Sequence, residues 1–252
     1  MKNILLLTLI LSLCLTSCNT SKEPDYSLSL EEYYKLGMPE QEHVWNMEDY
    51  SNAFFVLNSL KYQTPKALPV RESDKSGLLF SRMISMDNMA FLEDVTLPLH
   101  AKADLIKWFV NTLMELKVAY TQPGKPEQYY VRELMDIDIF RLSVSHQMLA
   151  LGQQINESED PSDAAMASDY PQIQQMYLNL LSELFEKHQN ASHIPLPTLE
   201  LLSDSLSSSV SKNMHWFDEQ ARATMKQTLN AAVESTSSQT IKDNYQALLE
   251  NL

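Results

Sequence analysis

The sequence predicts an all-α protein, on three observations. Glycine is confined to Gly37, Gly77, Gly124 and Gly152, too few for the tight turns of sheet-rich folds or for loops that cradle phosphates. Alternation of period two is scarce, whereas apolar residues recur at helical spacing along most of the chain. Hydrophobic residues make up 44% of the sequence, enough to hold a core without covalent staples. The architecture expected is an irregular multi-helix domain around a central antiparallel helix hairpin.

The chain opens MKNILLLTLILSLCLTSC. Lys2 supplies a positive start, and the apolar run from Ile4 to Leu15 suits a secretory leader. It falls short of the ~20 residues a helix needs to cross a bilayer. The run ends in Leu15-Thr16-Ser17-Cys18, which resembles the lipobox of bacterial lipoproteins. That resemblance implies a diacylglycerol on the Cys18 thiol, cleavage before it, and acylation of the new amine. Several acyl chains at ~0.8 kcal/mol per buried methylene make a stable anchor where one would be marginal. Asn19, in place of Asp, implies the outer membrane among lipoproteins sorted by that position. The domain organisation expected is therefore a leader over 1–17, a lipidated Cys and polar tether over 18–27, and a helical domain over 28–252.

Lys2 is the only charge in the leader, so residues 18–252 hold 33 acidic and 18 basic side chains. Such an excess disfavours a grip on nucleic acid, which needs clustered Lys and Arg. It equally disfavours adhesion to anionic lipid, leaving the acyl group to hold the membrane. Cys14 leaves with the leader and Cys18 is taken by lipid, so no thiol remains for a disulfide, a nucleophile or a zinc site.

Helix signals then follow in order. Ser29 and Glu32 have capping-box spacing, and the helix they start should stop at Gly37 before Pro39. A second helix is expected over 48–61, with Tyr50, Phe54, Leu57 and Leu60 on one face. Short helices are expected at 75–85 and 87–94, the latter capped by Asp87. The segment 99–120 is apolar over most of its circumference. Its polar stripe is only Asp104, Lys107, Asn111 and Glu115, the mark of a helix buried on more than one side. After a turn at 121–126, a long helix is expected from Pro126 to about Glu157. The acidic, proline-broken stretch 156–171 is a candidate subdomain boundary. Four amphipathic segments complete the chain, the last carrying Ile241, Tyr245, Leu248 and Leu249 behind a cap at Ser238. No repeat frame recurs.

One local anomaly stands out. The long helix has a core stripe of Tyr130, Leu134, Ile137, Arg141, Val144, Met148, Leu151 and Ile155, so Arg141 falls where an apolar residue belongs. Asp138 precedes it by three, at ion-pair spacing, between Met135 and Leu142 on the adjoining apolar stripe. Two readings are open: an anion-binding or catalytic Arg141 in a helical cleft with Asp138 and His146 near it, or a structural ion pair at a helix–helix seam. Met83, Met86 and Met89 recur at spacing three, as core or as a permissive binding face. Glu40 and His43 have di-iron spacing but occur once, in loop-like sequence, so no metal site is expected. Neither HExxH, an EF-hand loop nor a nucleophile elbow is present. No catalytic residue and no cofactor are expected. The function expected is a non-catalytic, membrane-anchored envelope lipoprotein that binds another envelope protein as accessory or inhibitor. The alternative is a small-ligand-binding or enzymatic domain using a cleft near Arg141.

Overall fold

Local capping signals set where the helices begin. In the computed structural model, which describes residues 25–63, 67–121, 130–189 and 194–252, every regular element among those residues is a helix. Helix α1 (Leu30–Lys35) carries the expected capping box: Ser29 Oγ accepts the Glu32 N–H, and the Glu32 carboxylate accepts the Ser29 N–H at 2.8 Å. It ends where Gly37 takes a φ of +94°. The Gly37 and Met38 N–H groups return to Tyr34 and Tyr33, a closure that favours glycine because a side chain is strained there. Asn46 and Asp49 form a second capping box on α2 (Met47–Leu60).

Two short helices differ from expectation. The segment 75–85 yields only α3 (Gly77–Met83), and 87–94 becomes a 3-10 turn over Met86–Leu92 whose cap is Ser85, not Asp87. Asn88 explains the departure. Its side chain accepts the Trp45 N–H at 2.9 Å and donates to Tyr50 Oη and the Arg82 carbonyl, both at 2.8 Å. Tertiary hydrogen bonds therefore hold the tighter turn against local α propensity.

Helix α4 (Leu99–Tyr120) has the expected bounds, and α5 runs Val131–Asn156. Tyr130, ahead of α5, is non-helical but buried. The residues expected to make the turn and first helical positions, 122–129, lie outside the described residues. Then come α6 (Ala164–Ala167), α7 (Tyr170–Gln189), α8 (Leu196–Asn213), a 3-10 turn (Met214–Trp216), α9 (Glu219–Ser235) and α10 (Gln239–Asn251).

Helix α5 divides the interior. One face, with Ile137, Phe140, Val144 and Leu151, joins a core built from α1 to α4. Tyr50 is central there, with Trp45 and Phe109 edge-on at 5.4 and 5.2 Å. The other face, with Met135, Leu142 and Leu149, joins a core built from α7 to α10. Gly152 lets α7 approach α5: a Cβ there would lie 2.9 Å from a Tyr170 ring carbon.

Helix α10 closes the second core. Ile241 and Tyr245 are fully buried and Leu248 nearly so. Ser238 accepts the Ile241 N–H and donates to the Glu200 carboxylate at 2.8 Å. Asn244 is held to α8 by Ser203 and Ser207, each at 2.8 Å. A segment this short is marginal alone in water, so its helix depends on that docking. Removing residues 241–252 is expected to lower the melting temperature sharply or abolish soluble expression. Tyr245→Ala should cost about 3–5 kcal/mol, as for other buried aromatics. Denaturant melts of both variants check this; an unchanged midpoint would mean that α10 contributes nothing to the core.

Candidate functional site

The Arg141 anomaly resolves into a charged seam across three helices. Asp138 projects from α5 on the stripe of Met135 and Leu142, and its side chain is only 1% exposed. A carboxylate in that position loses its hydration and must be compensated by charge and hydrogen bonds. Three cations do so. Arg141 Nη1, one turn on, donates to Asp138 Oδ1 at 2.7 Å. Lys117 Nζ from α4 reaches the same oxygen at 2.9 Å, and Lys187 Nζ from α7 donates to Oδ2. Glu183, also on α7, completes the group. It lies 2.8 Å from Lys117, 3.5 Å from Lys187 and 4.0 Å from Arg141.

Burial pushes the Asp138 carboxyl upward, but Lys187 and Lys117 more than offset it and hold the group below the ordinary carboxylate value. Burial likewise opposes the charge on Lys187, and Asp138 overcomes this, raising its pKa. Asp138 and Lys187 thus hold each other charged, and Lys117 and Lys187 likewise keep the Glu183 carboxyl below its ordinary value. Arg141 is 13% exposed, and its Nη1 is directed at Asp138 within the protein. His146 is half-buried on the same helix, eight residues beyond Asp138. That is roughly 12 Å along the axis at 1.5 Å per residue, so the seam does not bring the two together.

A second acidic group anchors the start of α5. Glu133 Oε1 accepts the Arg71 N–H at 2.9 Å, while the Arg71 guanidinium meets Asp136 at 2.7 Å. Arg132 approaches Asp136 at 3.5 Å. Glu133 is pushed above the ordinary carboxylate value, chiefly by burial. These contacts clip the loop around Arg71 to α5.

The histidines carry less. His43 lies in a loop, 3.3 Å from Asp49. His100 Nδ1 stands 3.4 Å from Asp163 Oδ1, and Ser158 Oγ donates to the other oxygen of Asp163 at 2.7 Å. In a nucleophilic triad the serine would meet the imidazole; here it meets the carboxylate, and the three tie the 156–171 stretch to α4. Among the described residues, no group of His, Cys, Asp and Glu is arranged to hold a metal ion.

Lys117, Glu183 and Lys187 escaped the sequence reading. Two of them left a signal. Lys117 falls opposite the polar stripe of α4, and Lys187 falls seven residues after Leu180 and three after Leu184, on the apolar face of α7. No protein-family model, curated protein or solved structure matches this chain.

Removing the central carboxylate leaves three cations around a buried amide, so Asp138→Asn is expected to destabilise the protein by about 3–5 kcal/mol at neutral pH. The folded pKa of Asp138 is lowered. Its contribution is therefore complete above the unfolded value of ~3.9 and lost as pH falls through the lower folded value. The difference in melting temperature between wild type and Asp138→Asn should narrow over that acid range. A constant difference from neutral pH down would refute the ion-pair account. Glu133 has the opposite sign: its stability contribution is present below the unfolded value and lost as pH rises through the raised folded one. Glu133→Gln keeps the acceptor for Arg71 and removes the buried charge, so it should raise the melting temperature at neutral pH.

Proposed function

We propose that this chain is an outer-membrane lipoprotein of the bacterial envelope, anchored through Cys18, whose helical body binds another envelope protein as an accessory or inhibitor without catalysing a reaction. The observation that carries the non-catalytic part is the pairing of Arg141 with Asp138 at 2.7 Å. The side chain best suited by sequence to seize an anionic ligand is engaged inside a seam between helices, and its neighbours Lys117 and Lys187 are engaged with it. The charge balance supports the rest. The acidic body repels nucleic acid and anionic lipid, and no helix among the described residues is long and apolar enough to cross a membrane. In this reading the lipid on Cys18 holds the protein to its leaflet.

The anchor is tested by intact mass of the chain extracted from membranes. The expected species starts at Cys18 and carries diacylglycerol and an amide-linked acyl chain. Cys18→Ala should leave the leader uncut or release a soluble product. An unmodified, cleaved wild-type terminus would sink the anchor. Protein binding is tested by purifying the lipidated chain from native membranes in mild detergent. A stoichiometric envelope partner is expected, and a chain that purifies alone would defeat that half of the proposal.

A further inference from the structure

The place where the first described residues are fastened to the body limits which surface can meet a membrane. The Asp25 carboxylate accepts the Ser73 hydroxyl at 2.6 Å, and Lys75 Nζ donates to the Ser27 carbonyl at 3.4 Å. Ser27 and Ser73 are buried, with their hydroxyl oxygens 2.8 Å apart, so residues 25–27 are held to the 73–77 turn. That turn is tight. The Gly77 N–H returns to the Ser73 carbonyl at 2.9 Å, and a Cβ on Gly77 would lie 2.5 Å from the Arg71 carbonyl oxygen. Cys18 lies seven positions before Asp25, a reach of at most roughly 25 Å at 3.3–3.6 Å per residue. A folded chain of this length has a radius of gyration of about 17 Å and a diameter of roughly 45 Å. A side chain on the far side would need a tether of about half the circumference, roughly 70 Å, to touch the leaflet that holds Cys18. Only surface near the 73–77 turn meets that condition.

Two large side chains are left uncovered at that turn. Tyr26 lies between the two fastened residues and is 47% exposed, and Leu78, directly after Gly77, is 70% exposed. Charge selects the kind of lipid. Glu72 and Asp74 are exposed in the same turn, with Lys75 beside them and Arg132 3.8 Å from Glu72. That balance offers anionic headgroups no net positive field. A zwitterionic interface suits the same surface, since tyrosine places its ring among headgroups and its hydroxyl toward water, and lysine extends its ammonium outward.

We propose that the fastened turn of residues 25–27 and 73–78 is the membrane-facing surface of the lipidated protein, with Leu78 and Tyr26 seated in the headgroup region of a zwitterionic leaflet. The proposal rests on the Cys18 anchor proposed above and adds the orientation that a flexible anchor alone leaves open.

The test uses the acylated full chain in phosphatidylcholine vesicles doped with a lipid that carries a nitroxide on its headgroup. Cys14 leaves with the leader and Cys18 is spent on lipid, so one introduced cysteine takes a fluorophore at a single place. Asp74→Cys reports on the turn, and Glu234→Cys reports on an exposed position of α9, a helix of the other core. Quenching at position 74 is expected to exceed that at 234 at least about threefold. Leu78→Asp combined with Tyr26→Ser should cut quenching at 74 to about half or less. Both side chains are exposed, so the melting temperature of that variant should match wild type. Replacing about a third of the lipid with phosphatidylglycerol should weaken quenching at 74; a rise would overturn the choice of a zwitterionic leaflet. Equal quenching at the two labels would leave the body without a preferred face and overturn the proposal. So would unchanged quenching in the double variant, since the tether alone would then bring the turn close. Intact mass separates the two levels. An acylated chain with equal quenching defeats the orientation alone, whereas a chain without acyl mass defeats the anchor and the orientation with it. Shielding of the label at 74 from iodide by a co-purified protein, in detergent without a bilayer, would reassign the face to that partner and overturn the proposal.

Discussion

An ionised carboxylate with almost no exposed surface is the constraint on which the middle of this molecule depends. Asp138 can stay charged only while cations from α4, α5 and α7 converge on it. The desolvation of five charged groups is offset jointly, and removal of any one leaves the others in poor solvent. Such a seam adds little net stability compared with an apolar one of equal volume. It does impose geometry. Arg141 and Asp138 fix a rotation of α5, while Lys117 and Lys187 fix the rotations of the neighbours, because a turn of either helix would strand a charge. Hydrophobic packing tolerates slippage between similar side chains; this cluster does not.

That rotation matters because α5 is shared by two cores. Its Ile137, Val144 and Leu151 face one and Met135, Leu142 and Leu149 the other. A helix with apolar faces on two sides lacks the single stripe that orients ordinary surface helices. Register must come from elsewhere, and the polar contacts along α5 provide it. Glu133 and Asp136 hold the Arg71 loop at its beginning, Asp138 and Arg141 set its middle, and Gly152 admits Tyr170 near its end. The two cores are thus built around one oriented rod, and Ile173 packs against both.

Much of this was legible in the sequence wherever the signal was local. The capping box at Ser29 and the cap at Ser238 depend on residues three apart and are formed. The bounds of α4 followed from its apolar circumference. Asp138 and Arg141 were legible because a charge at a core position violates a periodic pattern. What that charge meets was not, since Lys117 and Glu183 stand 21 and 45 residues away from Asp138 and only folding brings them together. The 3-10 turn at 86–92 escaped for a related reason. Asn88 is an unremarkable residue in sequence, and its three hydrogen bonds to residues 45, 50 and 82 exist only in the folded protein. His146 shows the reverse limit: helical proximity in sequence does not carry a side chain to a cluster more than two turns back.

The first described residues have a bearing on how such a protein would search for its partner. The Asp25 carboxylate accepts the Ser73 hydroxyl at 2.6 Å, and Ser27 Oγ lies 2.8 Å from Ser73 Oγ, so the chain is fastened to the body at that turn. Asp25 lies only seven positions after Cys18, a span of at most roughly 25 Å at 3.3–3.6 Å per residue. In the lipidated form proposed above, that leash keeps the fastening point within one small-domain diameter of the leaflet. A partner held in the same membrane would then be met in a thin layer instead of a volume, and its effective concentration would rise without any improvement in contacts. A contact of modest strength can suffice under those conditions, because confinement supplies part of what affinity otherwise must.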